Sequence, residues 1–544
     1  MEMVNLSLPA GNQFVTDYLS QDDKVKGFYH YNHGDKDSYF QRVKELEKRQ
    51  FMRNELADHI AGYMRAFPQS EKVQQNIANL RKDNSVVVIG GQQAGILTGP
   101  LYSVHKIISI ILLAEKKGSE LGIPVVPVFW IAGEDHDYLE VNHVFVPGAE
   151  KMERKTFPQR VVEKKMASDI ELDKEICYAW AEKLIKADGE TEHSKELLVL
   201  VKEAVDASHT FVDLFSYLVM HLFQEFGLLI VDSGDKALRV LEKEIFLNQI
   251  DQFKEIGEAV QKQQTIVKES GYSTVIEMSD NPVNLFYYDE ENSERILLTY
   301  DEEKSLFVGK DQTVHFTLEE LKEIASEFPH KLSNNVVTRP IMQDLLFPTL
   351  AFIGGPGEIA YWGELKQAFE QMNIKMPPIV PRLNITLLER CVEADMEELG
   401  LTLADVLQSG TEEACNSFLA AVSNDKVDDL IVQLKSDIAN KYKDLQSEME
   451  KTMKGMLPLL QKNENLLLNQ VDFLAKKVEM DLKTKHEVII NKYARIERCI
   501  RPDGIPQERV WNIFYFLNHF GLHFLEDVLK LPMEFDGSHK VVKL

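Results

Sequence analysis

Cysteine is scarce in this 544-residue chain: Cys177, Cys391, Cys415 and Cys499 lie far apart and form no CxxC pair. That argues against a disulfide framework and a zinc ribbon. Long apolar runs are missing too, since none reaches the roughly 18 residues a membrane helix needs. The opening residues MEMVNLSLPAGNQFVTDYLS lack a basic region followed by an apolar stretch, so the expectation is a cytoplasmic protein, neither secreted nor membrane-spanning. Basic charge is the third shortage. Sixty-one Lys and Arg face 87 Asp and Glu, a net charge of -26, which repels a phosphate backbone and makes nucleic acid an unexpected partner. What remains is ordinary globular usage, 44% hydrophobic and 27% charged, in a chain too long for one core, so several domains or large insertions are expected.

The residues present organise around SVVVIGGQQAGILTGPLYSVHK at 85–106. Val86 to Ile89 read as a strand buried on both faces. From Pro100, apolar residues at 101, 104, 108, 111 and 112 keep helical spacing, with Gly118 as the expected stop. PVVPVFWIA (124–132), GLLIVD (227–232), TLAFIG (349–354) and PPIVPR (377–382) supply four more strands. The fold class predicted is α/β: a doubly wound, parallel Rossmann-like sheet with two inserted subdomains and a C-terminal antiparallel α-helical coiled coil. The expected division places an N-terminal helical segment and the first part of the core in 1–149. A charged, mostly helical connecting insertion follows at 150–205, then core at 206–269 and a β-rich insertion at 270–330. The core is completed at 331–390, with a helical connection at 391–423, the coiled coil at 424–497 turning near 455–463, and a helical segment at 498–544.

In such a sheet the ligand crevice lies at the carboxyl ends of the strands, where GGQQAG, GEDHD, DSGD, GGPGE and PRLN fall. GGQQAG matches neither GxGxxG nor GxxxxGK[ST], so a turn whose glycines serve only packing stays open beside an anion cradle formed by Gly91, Gln92, Gln93 and Gly95. TGPLYSVH resembles the Thr-Gly-x-Leu-His-x-Gly-His pattern of class I aminoacyl-tRNA synthetases and related nucleotidylyltransferases. Thr98, Gly99, Leu101 and His105 match; Tyr102 and Val104 depart from it, and no Lys-Met-Ser-Lys-Ser loop follows the last strand.

Taken together, GGQQAGILTGPLY, VFWIAGEDHDYLEVNH, SNNVVTRPIMQDLLFPTLAFIGGPGEIAYW and VPRLN closely resemble the cysteine-adding enzymes of bacillithiol biosynthesis. The resemblance implies a class I synthetase-like core, a homodimer supported by the coiled coil, and amide formation between cysteine and glucosaminyl malate. Activating a carboxylate for an amine normally consumes ATP, so ATP or ADP is the candidate nucleotide. A nucleotidyl-transferring or tRNA-binding relative, and a non-catalytic coiled-coil scaffold, are the competing readings.

The catalytic candidates are His105, for phosphate stabilisation or proton transfer, together with Asp135 and His136. Glu134 and Asp137 flank that pair and could bind amines; Thr98, Gly99 and Tyr102 belong to the same crevice. Asp232 and Ser233 end the third strand, Glu358 follows a glycine loop, and Arg382 and Asn384 follow the fifth strand. Arg339 and Gln343 are candidates by resemblance, Arg339 suiting the malyl carboxylates through bidentate pairing. His136 and His143 do not make a zinc signature, and no metal is expected. A second anion or nucleotide site is suggested by Tyr493, Arg495, Arg498, Arg501, Arg509 and Trp511, gathered around a Pro-Gly turn. The same arginines could instead complement a helix dipole.

Overall fold

A computed structural model describes residues 1–148, 151–161, 165–310 and 312–544. It contains two compact units, Met1–Leu387 with Gln507–Leu544, and Leu388–Pro506.

The first unit is built on five parallel strands: β1 (Val86–Gln92), β2 (Val125–Ile131), β3 (Leu229–Asp232), β4 (Thr349–Gly354) and β5 (Ile379–Pro381). Their order across the sheet is β5-β4-β1-β2-β3. β1 is therefore flanked by β4 and β2, and the connections leave in opposite directions from this point, which opens a crevice at the carboxyl ends of β1 and β4. The β-branched run of β1 is buried throughout, Val87, Val88 and Ile89 being 0% exposed, as a strand covered on both faces requires. Helix α1 (Leu101–Leu121) returns the chain from β1 to β2. It runs through Gly118, the expected stop, and ends at Gly122, whose φ of 67° is the left-handed cap that a glycine supplies. The other core helices are α2 (Phe211–Phe223), begun by a Thr210–Asp213 capping box, α3 (Lys236–Asp251), α4 (Thr338–Leu346) and α5 (Pro356–Trp362).

The insertions differ from each other. An antiparallel hairpin, His143–Pro147 with Met152–Thr156, straddles the expected start of the mostly helical insertion at 150, before helices Lys174–Ala187 and Ser194–Ala207; residues 149–150 and 162–164 lie outside the described set. Within 270–330, strands Pro282–Asp289, Glu294–Asp301, Leu306–Gly309 and His315–Phe316 form an antiparallel sheet that Leu332–Asn334 completes. Its apolar face packs on Phe246 and Ile250 of α3, which joins this insertion to the core. A further sheet had no counterpart in the sequence reading: Glu2–Leu6 pairs antiparallel with His539–Lys543, beside Asn384–Leu388. The final segment, expected to be helical, thus ends in a strand.

In the second unit, α6 (Asp425–Thr452) and α7 (Leu457–Lys485) are followed by α8 (Glu487–Ile500). Lys435 pairs with Asp472 and Tyr442 with Asn463, one number rising as the other falls, so α6 and α7 run antiparallel. The turn, Lys454–Met456, comes at the near edge of the expected hinge. No helix among the described residues is long and apolar enough to cross a membrane.

Candidate active site at the strand ends

The turn after β1 is shaped by close backbone approaches. A Cβ on Gly91 would stand 3.0 Å from the Trp130 carbonyl oxygen, and one on Gly95 only 2.5 Å from the Gly99 Cα. Between them, Leu97, Thr98 and Gly99 all take left-handed φ values of 49°, 69° and 71°, a conformation that costs free energy at the two non-glycine positions. Asn512 holds it. Its Nδ2 donates to the carbonyls of Leu97 at 2.8 Å and Gly99 at 2.7 Å, while the Leu101 N–H donates to the Trp511 carbonyl at 2.8 Å. The segment following α9 (Gln507–Val510) therefore clamps the glycine loop.

Two chambers open beside this loop. The first, about 330 Å³, lies at the β1/β4 crevice and is lined by Gly91, Gln92, Gln93 and Tyr102 from the β1 side, by Arg339 and Gln343 of α4, and by Asp135, Glu358 and Arg382. The second, about 300 Å³, includes Gln93, Gly95, Gly99 and Tyr102. Most of the expected crevice residues are thus brought together.

Most charge in and behind the first chamber is paired. Arg339 donates from Nε to Glu134 at 2.7 Å and from Nη2 to Asp135 at 2.9 Å. Arg295, from the β-rich insertion, donates to Asp135 at 3.1 Å and to the Asn334 carbonyl at 2.6 Å. Glu134 is fully buried and also pairs with Arg239, which in turn donates to Glu242 at 2.6 Å. Burial alone would raise Glu134 and Asp135, but the surrounding guanidinium groups outweigh it and hold both carboxyls below their usual range. Glu242, dominated by burial, is pushed up to about 7. Across the crevice, the buried ammonium of Lys106 donates to the Gly91 carbonyl at 2.7 Å, to Gln92 Oε1 at 3.2 Å and to Glu358 Oε2 at 2.5 Å. Burial lowers its pKa against the pull of Glu358.

His105 is not at the crevice wall. It is 2% exposed, and its Nδ1 faces Glu508 at 3.3 Å, while Arg382 donates to the other oxygen of Glu508 at 2.6 Å. Burial lowers the imidazole, which favours the neutral ring despite Glu508. Of the three catalytic candidates, Asp135 alone lines a chamber; His136 is half-buried and Asp137 exposed, both outside the lining. Asp232 and Ser233 are interior. Both oxygens of Asp232 accept internal hydrogen bonds, from Ser168 at 2.6 Å and from the Gly234 N–H at 2.8 Å, and burial pushes its carboxyl up to about 7. Ser233 accepts from the Glu134 N–H at 3.4 Å. Thr98 is buried, and Asn384 opens the strand Asn384–Leu388 away from both linings.

The arginine-aromatic group divides between the two units. Arg495 pairs with Asp395 at 2.5 Å, Arg501 donates to the Leu407 carbonyl at 2.6 Å, and Tyr493 is 6% exposed, all with Arg498 in the coiled-coil unit. Trp511 belongs to the first unit, is 2% exposed and packs on Tyr515 with centroids 4.4 Å apart, so it has no open face for a base. Arg509 lines the crevice instead. The sequence reading missed Lys106, Arg295, Arg239 and Glu508; only Lys106, adjoining the 98–105 motif, carried a local signal.

A Rossmann-like α/β core carrying an antiparallel coiled coil is the class these observations define. Comparison with known proteins makes it specific. Residues 1–383 match the family described as "Bacillithiol biosynthesis BshC, N-terminal Rossmann-like domain", and residues 385–544 match "Bacillithiol biosynthesis BshC, C-terminal coiled-coil domain". The chain is 42% identical over 542 residues to a protein of Geobacillus thermodenitrificans and 41% identical over 544 residues to one of Bacillus cereus (strain Q1). Each alignment covers 100% of both chains, and both relatives bear the name "Putative cysteine ligase BshC". The chain belongs to the BshC family of bacillithiol biosynthesis. A solved structure titled as a putative arginyl-tRNA synthetase from Campylobacter jejuni aligns over 89% of this chain and 98% of its own at 11% identity, with a TM-score of 0.24.

Proposed function

We propose that the protein is a ligase that joins the carboxylate of cysteine to the amine of glucosaminyl malate, forming the amide of bacillithiol. The observation that carries this is the first chamber, where Lys106, Arg339, Arg382 and Arg509 surround the crevice with Asp135 among them. Guanidinium groups suit the two malyl carboxylates, and an ionised aspartate suits an ammonium. The names of the relatives supply the cysteine.

The chemistry requires an activated acyl group, and ATP is the proposed source, with ADP or AMP as the product according to which group is transferred. The amine nitrogen then forms the C–N bond, the acyl–oxygen bond to phosphate or adenylate breaks, and the nitrogen gives up a proton. Fixed donors near the carbonyl oxygen stabilise the charge that builds there. Asp135, kept ionised by two arginines, is a better holder of the ammonium than a base. His105 acts through Glu508 and Arg382 in this reading, orienting the guanidinium. A second anion or nucleotide site is proposed at Tyr493, Arg495, Arg498 and Arg501 of the coiled-coil unit, without the Arg509 and Trp511 first grouped with them. A cytoplasmic setting fits the free cysteines.

Deleting the encoding gene should abolish bacillithiol and cause glucosaminyl malate to accumulate, measured by mass spectrometry of thiol extracts; unchanged levels of both would sink the reading. Homodimerisation is proposed through 424–497, whose helices leave Leu430, Val432, Leu459 and Phe473 more than half exposed. Sedimentation of a chain lacking that segment should give a monomer, whereas a persisting dimer would move the interface elsewhere.

A further inference from the structure

Three of the four cations lining the first chamber are committed to carboxylates: Lys106 to Glu358, Arg339 to Glu134 and Asp135, Arg382 to Glu508. Arg509 is not. Its side chain makes no hydrogen bond or ion pair among the described residues, it is exposed, and it lines both chambers. Gln93 and Tyr102 are the other lining residues that the two chambers share. The second chamber also contains a carboxylate, Glu140, whose Oε2 accepts from Gln93 Nε2 at 3.2 Å, and the apolar side chains of Val141, Val144 and Phe145. Burial raises the Tyr102 phenol, but Arg509 acts to lower it and Glu140 to raise it, which puts both charges within electrostatic reach of one hydroxyl.

An α-amino acid is recognised by one fixed cation for its carboxylate, one fixed anion for its ammonium, and an apolar wall for a small side chain. We propose that the second chamber is the amino-acid site, holding L-cysteine with its carboxylate on Arg509 at the shared wall and its ammonium on Glu140. This rests on the ligase reading and adds a division of labour to it. The carboxylate must meet the amine of the substrate in the first chamber, and Arg509 is the charged residue that faces both. A guanidinium there also serves the reaction, because it complements the carbonyl oxygen as the amine adds. Val144 and Phe145 come from the strand His143–Pro147, which pairs with Met152–Thr156 at the start of the first insertion, so that hairpin forms part of the wall that meets the thiol side chain.

The test is equilibrium titration of the full-length protein with L-cysteine, cysteamine, which lacks the carboxylate, and 3-mercaptopropionate, which lacks the amine. Arg509→Gln and Glu140→Gln are both exposed positions, and thermal unfolding verifies that each variant folds. Each should weaken L-cysteine binding at least tenfold. Arg509→Gln should leave cysteamine binding unchanged, and Glu140→Gln should leave 3-mercaptopropionate binding unchanged, since each variant removes the partner of a group that ligand lacks. Wild-type affinity for L-cysteine in both variants, or no binding of L-cysteine by the wild type, overturns the site. Product formation separates the two readings: if the wild type binds L-cysteine through these residues but makes no bacillithiol, the ligase reading falls and the amino-acid site stands. If bacillithiol forms in both variants with an unchanged KM for cysteine, the amino-acid site alone is lost.

Discussion

Arg339→Ala should lower stability by about 3–5 kcal/mol, the usual cost of stripping one partner from a buried ion pair, and, on the proposed ligase reading, reduce bacillithiol formation by about a hundredfold or more. One guanidinium spans Glu134, which is 0% exposed, and Asp135 on the chamber wall, at 2.7 and 2.9 Å. Its removal leaves Glu134 sharing Arg239 with Glu242 and Asp135 with Arg295, so three carboxylates rest on two guanidinium groups and nothing rigid links Glu134 to Asp135. Arg339→Lys is the informative companion. A single ammonium cannot reproduce a planar fork on two carboxylates, so lysine should recover less than half of the lost stability and little of the turnover. The pH dependence follows from the direction of the Glu134 shift. Its carboxyl is held low in the folded protein, so its contribution is present above the unfolded carboxylate pKa and is lost as pH falls through the folded one. The stability gap between wild type and Arg339→Ala should therefore narrow on acidification. Denaturant unfolding at several pH values checks this, and a lysine variant equal to wild type in stability and turnover would rule out the bridging role.

How much of this was legible in the sequence depended on the range of the interaction. Val86 to Ile89 announced a buried strand because β-branching and missing polar alternation are local properties, and the crevice followed from where each strand stopped. The pairing of Glu2–Leu6 with His539–Lys543 left no local trace, since each strand finds its register only in the other. The same holds for charge. Lys106 meets a partner 252 positions away and Arg295 one 160 positions away, distances at which spacing carries no signal. The motif at 98–105 drew attention to His105, yet neighbouring residues on a helix point about 100° apart. That rotation turns His105 inward and brings Lys106 to the crevice. GEDHD was a sound locator of polar chemistry at the end of β2, but only tertiary packing decides that Glu134 is interior, Asp135 lines the chamber and Asp137 faces solvent.

Lys106 supports the other large expected effect. It is 1% exposed and joins the Gly91 carbonyl and Gln92 at the end of β1 to Glu358 in the first turn of α5, tying together the two strands between which the crevice opens. Lys106→Met should lower stability by about 3–5 kcal/mol, because Glu358 loses the ion pair it makes with Lys106 and keeps its charge in a largely desolvated place. Glu358 has a second duty that survives neutralisation: it accepts the Gly355 N–H at 2.7 Å, and a glutamine carbonyl oxygen can do the same. In the double variant Lys106→Met, Glu358→Gln the uncompensated charge is gone, so stability should return to within about 1 kcal/mol of wild type, a coupling that a double-mutant cycle measures directly. Turnover gives the separate answer. If the ammonium contributes its charge to the chamber as well as tying the strands, the refolded double variant should still form bacillithiol at least tenfold more slowly than wild type. Full turnover with restored stability would make Lys106 a strut between β1 and α5, and the anion binding proposed for the first chamber would then fall to Arg339, Arg382 and Arg509.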